Sequence, residues 1–328
     1  MKPDIEERFS SRRFARARFA GRLLVSLGLL YLIMRTVPFA DVINVLRKSH
    51  VFLLLIAAFL LIGRTPLMAW RWQILLSVKG YPCTLGLLTR HYFLGFFFNN
   101  FLPTSVGGDV MRAVGVSRHG VPGKTSVSSI ALERLLGVLA LMIIGAISFF
   151  LLPGATITRL SVIKGIGYTL AVSSLLALLI FIVSFYLHNF LLNRPRSSSK
   201  FLEYIMKGTD ELLSYWDDFY ILNKVLALTV ISQLSAVITM YFIALSLEIS
   251  IPILYFSFLL PVVWLATMLP VSISGLGVRE GAFVYLFGLI GMDNQTAIAI
   301  SAIWLALTYV LSIIGGVLLW SQSYEKSE

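Results

Sequence analysis

IALERLLGVLALMIIGAISFFLL, residues 130–152, carries two charges, Glu133 and Arg134, both near its start. About 20 mainly apolar residues cross the hydrocarbon core of a bilayer as a helix. The stretch is therefore read as a membrane span. Equally clear runs lie at 163–187, 225–247 and 296–320. The run 51–69 spans with Arg64 inside it, and 19–39 spans if Arg22 and Arg35 snorkel at its ends. Two further stretches, 85–112 and 254–292, are apolar but interrupted by Pro, Gly and Ser. No period-two alternation marks a membrane β-barrel, so the class is all-α, a polytopic helical membrane protein.

Composition agrees. The chain has 328 residues, 58% of them hydrophobic and 13% charged, with mean hydropathy +0.86. A soluble domain is nearer a quarter charged. The net charge of +11 does not signal nucleic acid, because no zinc-type Cys/His cluster or basic stacking module accompanies it. It reflects cytoplasmic loops, which collect Lys and Arg. Cys83 is the single cysteine, so neither an intrachain disulfide nor a cysteine-based metal site exists. His50, His91, His119 and His188 are scattered without ligand spacing. The basic N-terminus runs into an apolar stretch without a small-residue cleavage site, so it reads as a retained first span rather than a signal peptide.

Orientation follows from Lys and Arg placement. Take the N-terminus as cytoplasmic and let both broken stretches return to the side they left. The inside then holds seven basic residues in 1–22, two in 70–84 (Arg71, Lys79), three in 112–129 (Arg112, Arg118, Lys124), four in 188–221 and Lys326. The outside loops hold Arg47, Lys48 and Arg159. This bias favours six full spans plus two re-entrant elements, with both termini cytoplasmic. Eight full-length segments is the rival count. The organisation is a basic tail (1–18), one membrane domain (19–320) and a short C-terminal tail (321–328). Loop 188–221 joins halves at 19–187 and 222–320. Within it, Phe201, Ile205, Leu212, Leu213 and Trp216 recur at helical spacing. They suit either an interfacial helix or a solvated linker helix.

The two broken stretches echo each other. LPTSVGGDVMR, residues 102–112, aligns without a gap on LPVSISGLGVR, residues 269–279. Leu, Pro, Ser, Gly and Arg match, and Val106 faces Ile273. Proline stops a helix and glycine permits tight backbone. At membrane depth, such backbone survives only where protein or a wet cavity satisfies it. Gly/Pro-broken segments in corresponding halves point to a transporter's binding site. Under the topology above, one element enters from each side, giving an inverted repeat. The competing reading is two helix-ending loops that bind nothing.

The charges beside these elements are the candidate site. An ionisable group at mid-membrane costs at least about 2.5–3.5 kcal/mol on insertion scales, which makes function the default hypothesis. Glu133 and Arg134 are adjacent, and neighbours do not face each other on a helix, so each needs another partner. Arg112, or Arg279 from the other half, suits Glu133. Asp109 lies in the first glycine cluster, and Arg279-Glu280 follows the second. Arg64 and Arg90 interrupt apolar runs and either snorkel or serve function. Asn99 and Asn100 suit a helix cap or, with Ser105, Ser272 and Ser274, a headgroup. Arginine beside the glycine backbone of Gly108, Gly275 and Gly277 suits phosphate, because its fork matches the oxygens and free N–H groups add donors. A purely structural ion-pair network is the alternative.

In order and spacing, Asn99 through Pro103 with Gly107-Gly108-Asp109 and Arg112, then Glu133-Arg134, then Leu269-Pro270 through Gly275-Leu276-Gly277-Val278-Arg279-Glu280-Gly281, resemble the lysylphosphatidylglycerol synthase transmembrane-region family, also called flippase-like. The resemblance covers roughly residues 20–320. It implies a bacterial inner-membrane protein. In the family's best-known members, this domain precedes a soluble aminoacyl-transferase and is thought to move the modified phospholipid between leaflets. Other members stand alone, some in polyprenyl-linked sugar or hopanoid pathways. Here the chain ends at Glu328 in a short polar tail, so lysyl transfer is not expected.

The leading expectation is a non-enzymatic lipid translocase or lipid transporter. It would bind a phospholipid or polyprenyl-phosphate headgroup between the halves, without cofactor, metal or catalytic residue. Its expected partners are membrane lipids, with a separately encoded lipid-modifying enzyme as a further candidate. The alternatives are a scaffold for such an enzyme and an integral-membrane transferase. For the transferase, Asp217-Asp218 is the only adjacent acidic pair.

Overall fold

The computed structural model describes residues 39–101, 106–153, 161–192, 214–269, 271–272 and 275–325, together with residues 21, 23–29, 31–32 and 35. The described residues form helices and no strand. A short helix α1 (Phe39–Arg47) leads into α2 (Val51–Val78, 28 residues). Two shorter helices follow, α3 (Leu85–Phe101, 17 residues) and α4 (Gly107–Ser117, 11 residues). Then come α5 (Gly123–Leu151, 29 residues) and α6 (Ser161–Leu192, 32 residues). A 3-10 turn, Ser214–Asp217, precedes α7 (Phe219–Ser246, 28 residues). Two shorter helices come next, α8 (Ile253–Met268, 16 residues) and α9 (Val278–Gly288, 11 residues). The last is α10 (Asn294–Glu325, 32 residues).

Among the described residues, five helices are long and apolar enough to cross a membrane: α2, α5, α6 from Ser161 to Val183, α7, and α10 from Asn294 to Trp320. At 1.5 Å per residue, 28 residues reach about 42 Å, against a core about 30 Å thick. The expected spans at 51–69, 130–152, 163–187, 225–247 and 296–320 are these five helices. In the expected span at 19–39, the described residues 21, 23–29, 31–32, 35 and 39 are helical; the tail 1–18 lies outside the described residues, and α10 continues to Glu325, into the expected C-terminal tail. Loop 188–221 is shorter than expected, since α6 continues to Leu192; residues 193–213 lie outside the described residues. Tyr215 and Trp216 are buried against Leu75, Leu132 and Leu222, so this end of the loop is docked on the bundle.

α2 and α7 form the central pair. They run antiparallel. The His50 N–H at the start of α2 donates to the Ser246 carbonyl at the end of α7 (2.8 Å), and Arg64 meets Ser232 midway. α3 packs on α10, and α8 packs on α5. α3 and α4 form an antiparallel hairpin. A Cβ on Gly108 would overlap the Gly95 carbonyl, and one on Gly115 would overlap the His91 ring. The main core gathers Phe149, Met240, Phe256, Phe258, Phe283, Phe287 and Ile300, all nearly inaccessible. Outward faces are apolar: Leu175 and Ile180 are each 67% exposed, Phe52 73% and Trp320 70%. A helical bundle that is apolar both inside and outside is an integral membrane protein.

Close approach replaces the hydrophobic drive that lipid cannot supply between helices. At the α3–α10 crossing, a Cβ on Gly315 would overlap the Phe93 carbonyl and sit 3.0 Å from the Phe97 Cβ. Gly315→Leu is expected to destabilise the bundle by about 1–3 kcal/mol, as overpacking does. Gly281→Ala, whose Cβ meets nothing, is expected to leave stability unchanged or raise it. Thermal unfolding in detergent, followed by circular dichroism, distinguishes the two.

Candidate functional site

Glu133 sits in the third turn of α5 and is 3% exposed. Its Oε1 accepts from Arg71 Nη2 (2.9 Å), Arg71 Nε (3.1 Å) and Tyr92 Oη (2.7 Å). Its Oε2 accepts from Arg112 Nη2 (2.5 Å). One carboxylate thus joins α2, α3, α4 and α5. Arg71 also donates to Thr229 Oγ1 of α7 (3.2 Å). The Arg112 guanidinium lies between two aromatic faces, 3.7 Å from the Tyr92 ring centroid and 4.2 Å from that of Trp72. Each such contact is worth roughly 0.5–2 kcal/mol, more where water is excluded. Trp72 is held in turn by Ser129 Oγ (2.9 Å).

The network continues toward the surface. Arg112 Nη1 reaches Asp109 (3.4 Å), and Arg134 Nε donates to the other Asp109 oxygen (2.5 Å). Arg134 is half exposed, so this edge is the open one. Three arginines against two carboxylates leave one positive charge in excess. Arg112 Nε is buried without a hydrogen-bond partner. The arrangement therefore carries one net positive charge and one buried donor that no described group satisfies.

The hairpin tip is tied down by amides. Asn99 Oδ1 accepts the Gly108 N–H (2.8 Å), satisfying one of the free donors at the start of α4. Asn100 Nδ2 donates to Ser312 Oγ (2.6 Å) and the Thr308 carbonyl (3.3 Å) of α10. Asn99 thus acts as an acceptor at a helix start, the first of the two roles considered for it.

Arg279 and Glu280 form a second, separate network at the start of α9. Glu280 Oε2 accepts the Gly277 N–H (2.8 Å), the reach-back of a helix N3 carboxylate. Its Oε1 accepts from Arg279 Nη2 (2.6 Å), Arg279 Nε (3.0 Å) and Ser301 Oγ of α10 (3.1 Å). Gly277 has φ +81°, a left-handed backbone that a side chain resists, and an added Cβ would press on Leu29. Gly275 is also left-handed, at φ +75°. Ser272 is buried with its hydroxyl unpartnered. Ser105 and Ser274 lie outside the described residues.

Three readings of the sequence change here. Arg71 and Arg112, counted among loop cations, are buried in helices, and the loop bias survives their removal. The rule that neighbours do not pair separates Glu133 from Arg134 but fails for Arg279-Glu280. In a first turn, a carboxylate folded back onto the cap brings itself beside the preceding side chain. Of the two cations considered for Glu133, Arg112 takes it; Arg279 stays with Glu280. Elsewhere, Arg64 bonds Ser232 Oγ (3.0 Å) and Gln233 Oε1 (3.2 Å), and Arg90 reaches the Leu318 carbonyl (3.2 Å). The residues that sequence reasoning missed are Arg71, Trp72, Tyr92, Thr229 and Ser301. One signal was available: Arg64 and Arg71, seven apart, share a face of α2, and that face meets α7.

Removing Glu133 strands two buried cations. Glu133→Ala is expected to cost about 3–5 kcal/mol, as breaking a buried pair does. Replacing Arg71, Arg112 and Glu133 together with methionine is expected to cost less than Glu133→Ala alone. Unfolding midpoints of the purified variants in detergent check both.

No curated protein matches the chain. The family model described as the lysylphosphatidylglycerol synthase TM region matches residues 19–316. That match spans every helix from α1 to α9 and most of α10. It takes in the Asn99–Arg112 hairpin tip, Glu133-Arg134 and the turn at Gly275–Glu280, and the protein belongs to the lysylphosphatidylglycerol synthase TM region family.

Proposed function

We propose that the protein moves a phosphate-bearing lipid between leaflets, through a path between two inverted repeats, without catalysing a chemical reaction. The observation that carries this reading is the reciprocity of the packing. Exchanging α2 with α7, α3 with α8, α4 with α9 and α5 with α10 maps the contacts onto themselves. α3 on α10 becomes α8 on α5, α4 on α5 becomes α9 on α10, and α2 on α7 is unchanged. The lengths follow, with 28, 17, 11 and 29 residues answered by 28, 16, 11 and 32. Arg64 and Ser232, bonded at the α2–α7 crossing, are each the fourteenth residue of their helix.

The single helix α6 between the units inverts the second relative to the first. Within each unit, the paired short helices are too short to cross twice: 11 residues reach only about 16 Å. They suit re-entrant elements, one from each side, the arrangement that favours alternating access. The excess charge around Arg112 and Arg134 suits a headgroup phosphate, while acyl tails stay in the bilayer. Arg279, Glu280 and Ser301 hold the opposite tip in shape. Asp218, half of the acidic pair considered for catalysis, is spent capping α7 through the Ile221 N–H (3.0 Å). The family's setting and the loop charges support a bacterial inner membrane and cytoplasmic termini.

The test is leaflet exchange in reconstituted vesicles carrying headgroup-labelled phosphatidylglycerol, phosphatidylcholine or a polyprenyl phosphate. Exchange above protein-free vesicles is expected for at least one. Arg134→Gln, at an exposed position, is expected to slow it at least tenfold, and Arg279→Ala to abolish it with insertion intact. Wild-type rates in both variants overturn the site. No exchange of any lipid moves the reading to a scaffold for a separate lipid-modifying enzyme.

A further inference from the structure

A cavity of about 410 Å³ opens on a different face of the α3–α4 hairpin from the Glu133 network. It lies at the end where α3 begins and α4 finishes, against Leu319 near the end of α10. Two arginines and two histidines line it: Arg90 and His91 from α3, and Arg118 and His119 from the end of α4. No carboxylate is among its lining residues. The histidines, far apart in sequence, meet edge to face with ring centroids 5.8 Å apart. His91 is 4% exposed, and neither of its ring nitrogens has a hydrogen-bond partner. Leaving such nitrogens unmatched costs roughly 1–3 kcal/mol. Its ring lies so close to Gly115 that any side chain there would overlap it. His119 is anchored through Nδ1 to the Gly115 carbonyl (3.0 Å).

The remaining wall is apolar, with Leu94, Phe98, Met111 and Val114. Val114 belongs to an exposed stripe on α4, with Val110 and Val106 one and two turns before it. The stripe runs from the cationic end along an exposed, apolar side of the hairpin. The cavity therefore offers cationic donors at one end and an apolar track at the other. A metal ion is disfavoured beside two guanidinium groups, whereas a phosphate oxyanion matches them.

From this geometry we infer a second lipid site, in which Arg90, His91, Arg118 and His119 bind the phosphate of a membrane lipid whose chain lies along Val114, Val110 and Val106. The site stands whether or not lipids cross the membrane, because it does not use the network around Glu133.

The test is equilibrium binding to the full chain in detergent micelles, which have no leaflets, by isothermal titration calorimetry. The probes are dihexanoylphosphatidylglycerol, dioctanoylglycerol and inorganic phosphate. The phosphatidylglycerol is expected to bind, with dioctanoylglycerol and inorganic phosphate at least tenfold weaker. Arg118→Gln and His119→Gln, both exposed, are expected to weaken it at least tenfold without changing the unliganded unfolding midpoint. His91→Phe is expected to do the same if it folds; the two exposed variants decide the matter if it does not. Unchanged affinity in Arg118→Gln and His119→Gln overturns the site. Equal binding of dioctanoylglycerol overturns the role of phosphate, and equal binding of inorganic phosphate overturns the lipid.

Discussion

The Glu133 carboxylate, closed between Arg71 and Arg112, is the interaction on which the rest depends. An ion taken out of water costs several kcal/mol even after relaxation, so every charge at membrane depth must be met. Glu133 meets that demand from α5 by drawing one partner from α2, one from α4 and a hydroxyl from α3. The short helix α4 cannot reach across a bilayer, and its start exposes backbone donors. It is held in the bundle because Arg112 is fixed by Glu133 and the aromatic faces of Tyr92 and Trp72, and because Asn99 covers the Gly108 N–H. Gly95 and Gly108 let the two arms of the hairpin touch backbone to backbone.

Much of the architecture was legible because membrane helices advertise themselves by length and apolarity. The five long helices stand where the apolar runs placed them. Partnership was legible only in part: Arg112 was one of two cations considered for Glu133, whereas Arg71 was not considered. Arg71 follows Trp70 at the end of an apolar run and reads as the first cation of a loop, yet α2 continues to Val78 and buries it. Hydropathy falls when polar residues arrive, whether they face water or an ion-pair partner. His91 and His119 were invisible for a related reason. Their meeting depends on the hairpin folding back on itself, which only the Gly115 contact reveals.

The two hairpin tips share a sequence echo but not a chemistry. Leu102 and Leu269 open the matching segments 167 positions apart, while α4 and α9 begin 171 apart, at Gly107 and Val278. Four residues are about one helical turn. Arg112 is therefore the sixth residue of its helix, one turn in, where α5 presents Glu133. Arg279 is the second residue of its helix, where the nearest carboxylate is the cap beside it. Around the first hairpin, Arg112 and Asp109 meet Arg71 of α2 and Glu133 and Arg134 of α5; the second carries Arg279 and Glu280.

On the proposed transport reading, that asymmetry bears on where a headgroup would rest, not on the direction of net flux. A fully symmetric carrier would present the same charge to both leaflets and hold an anion equally well at either tip. Here the excess charge is confined to one tip, whose outer member Arg134 is half exposed, while the other is neutral and closed by its own cap. On that reading, an anionic headgroup would meet a favourable field on the Arg134 side and none beyond the shape of the backbone on the Gly277 side. An equilibrium carrier built this way still obeys the lipid gradient, because binding energy cannot bias net flux. On the proposed transport reading, what the asymmetry sets is where a headgroup would rest: it would load against Arg112 and Arg134, and Glu280, already occupying Arg279, would ease its release at the other tip.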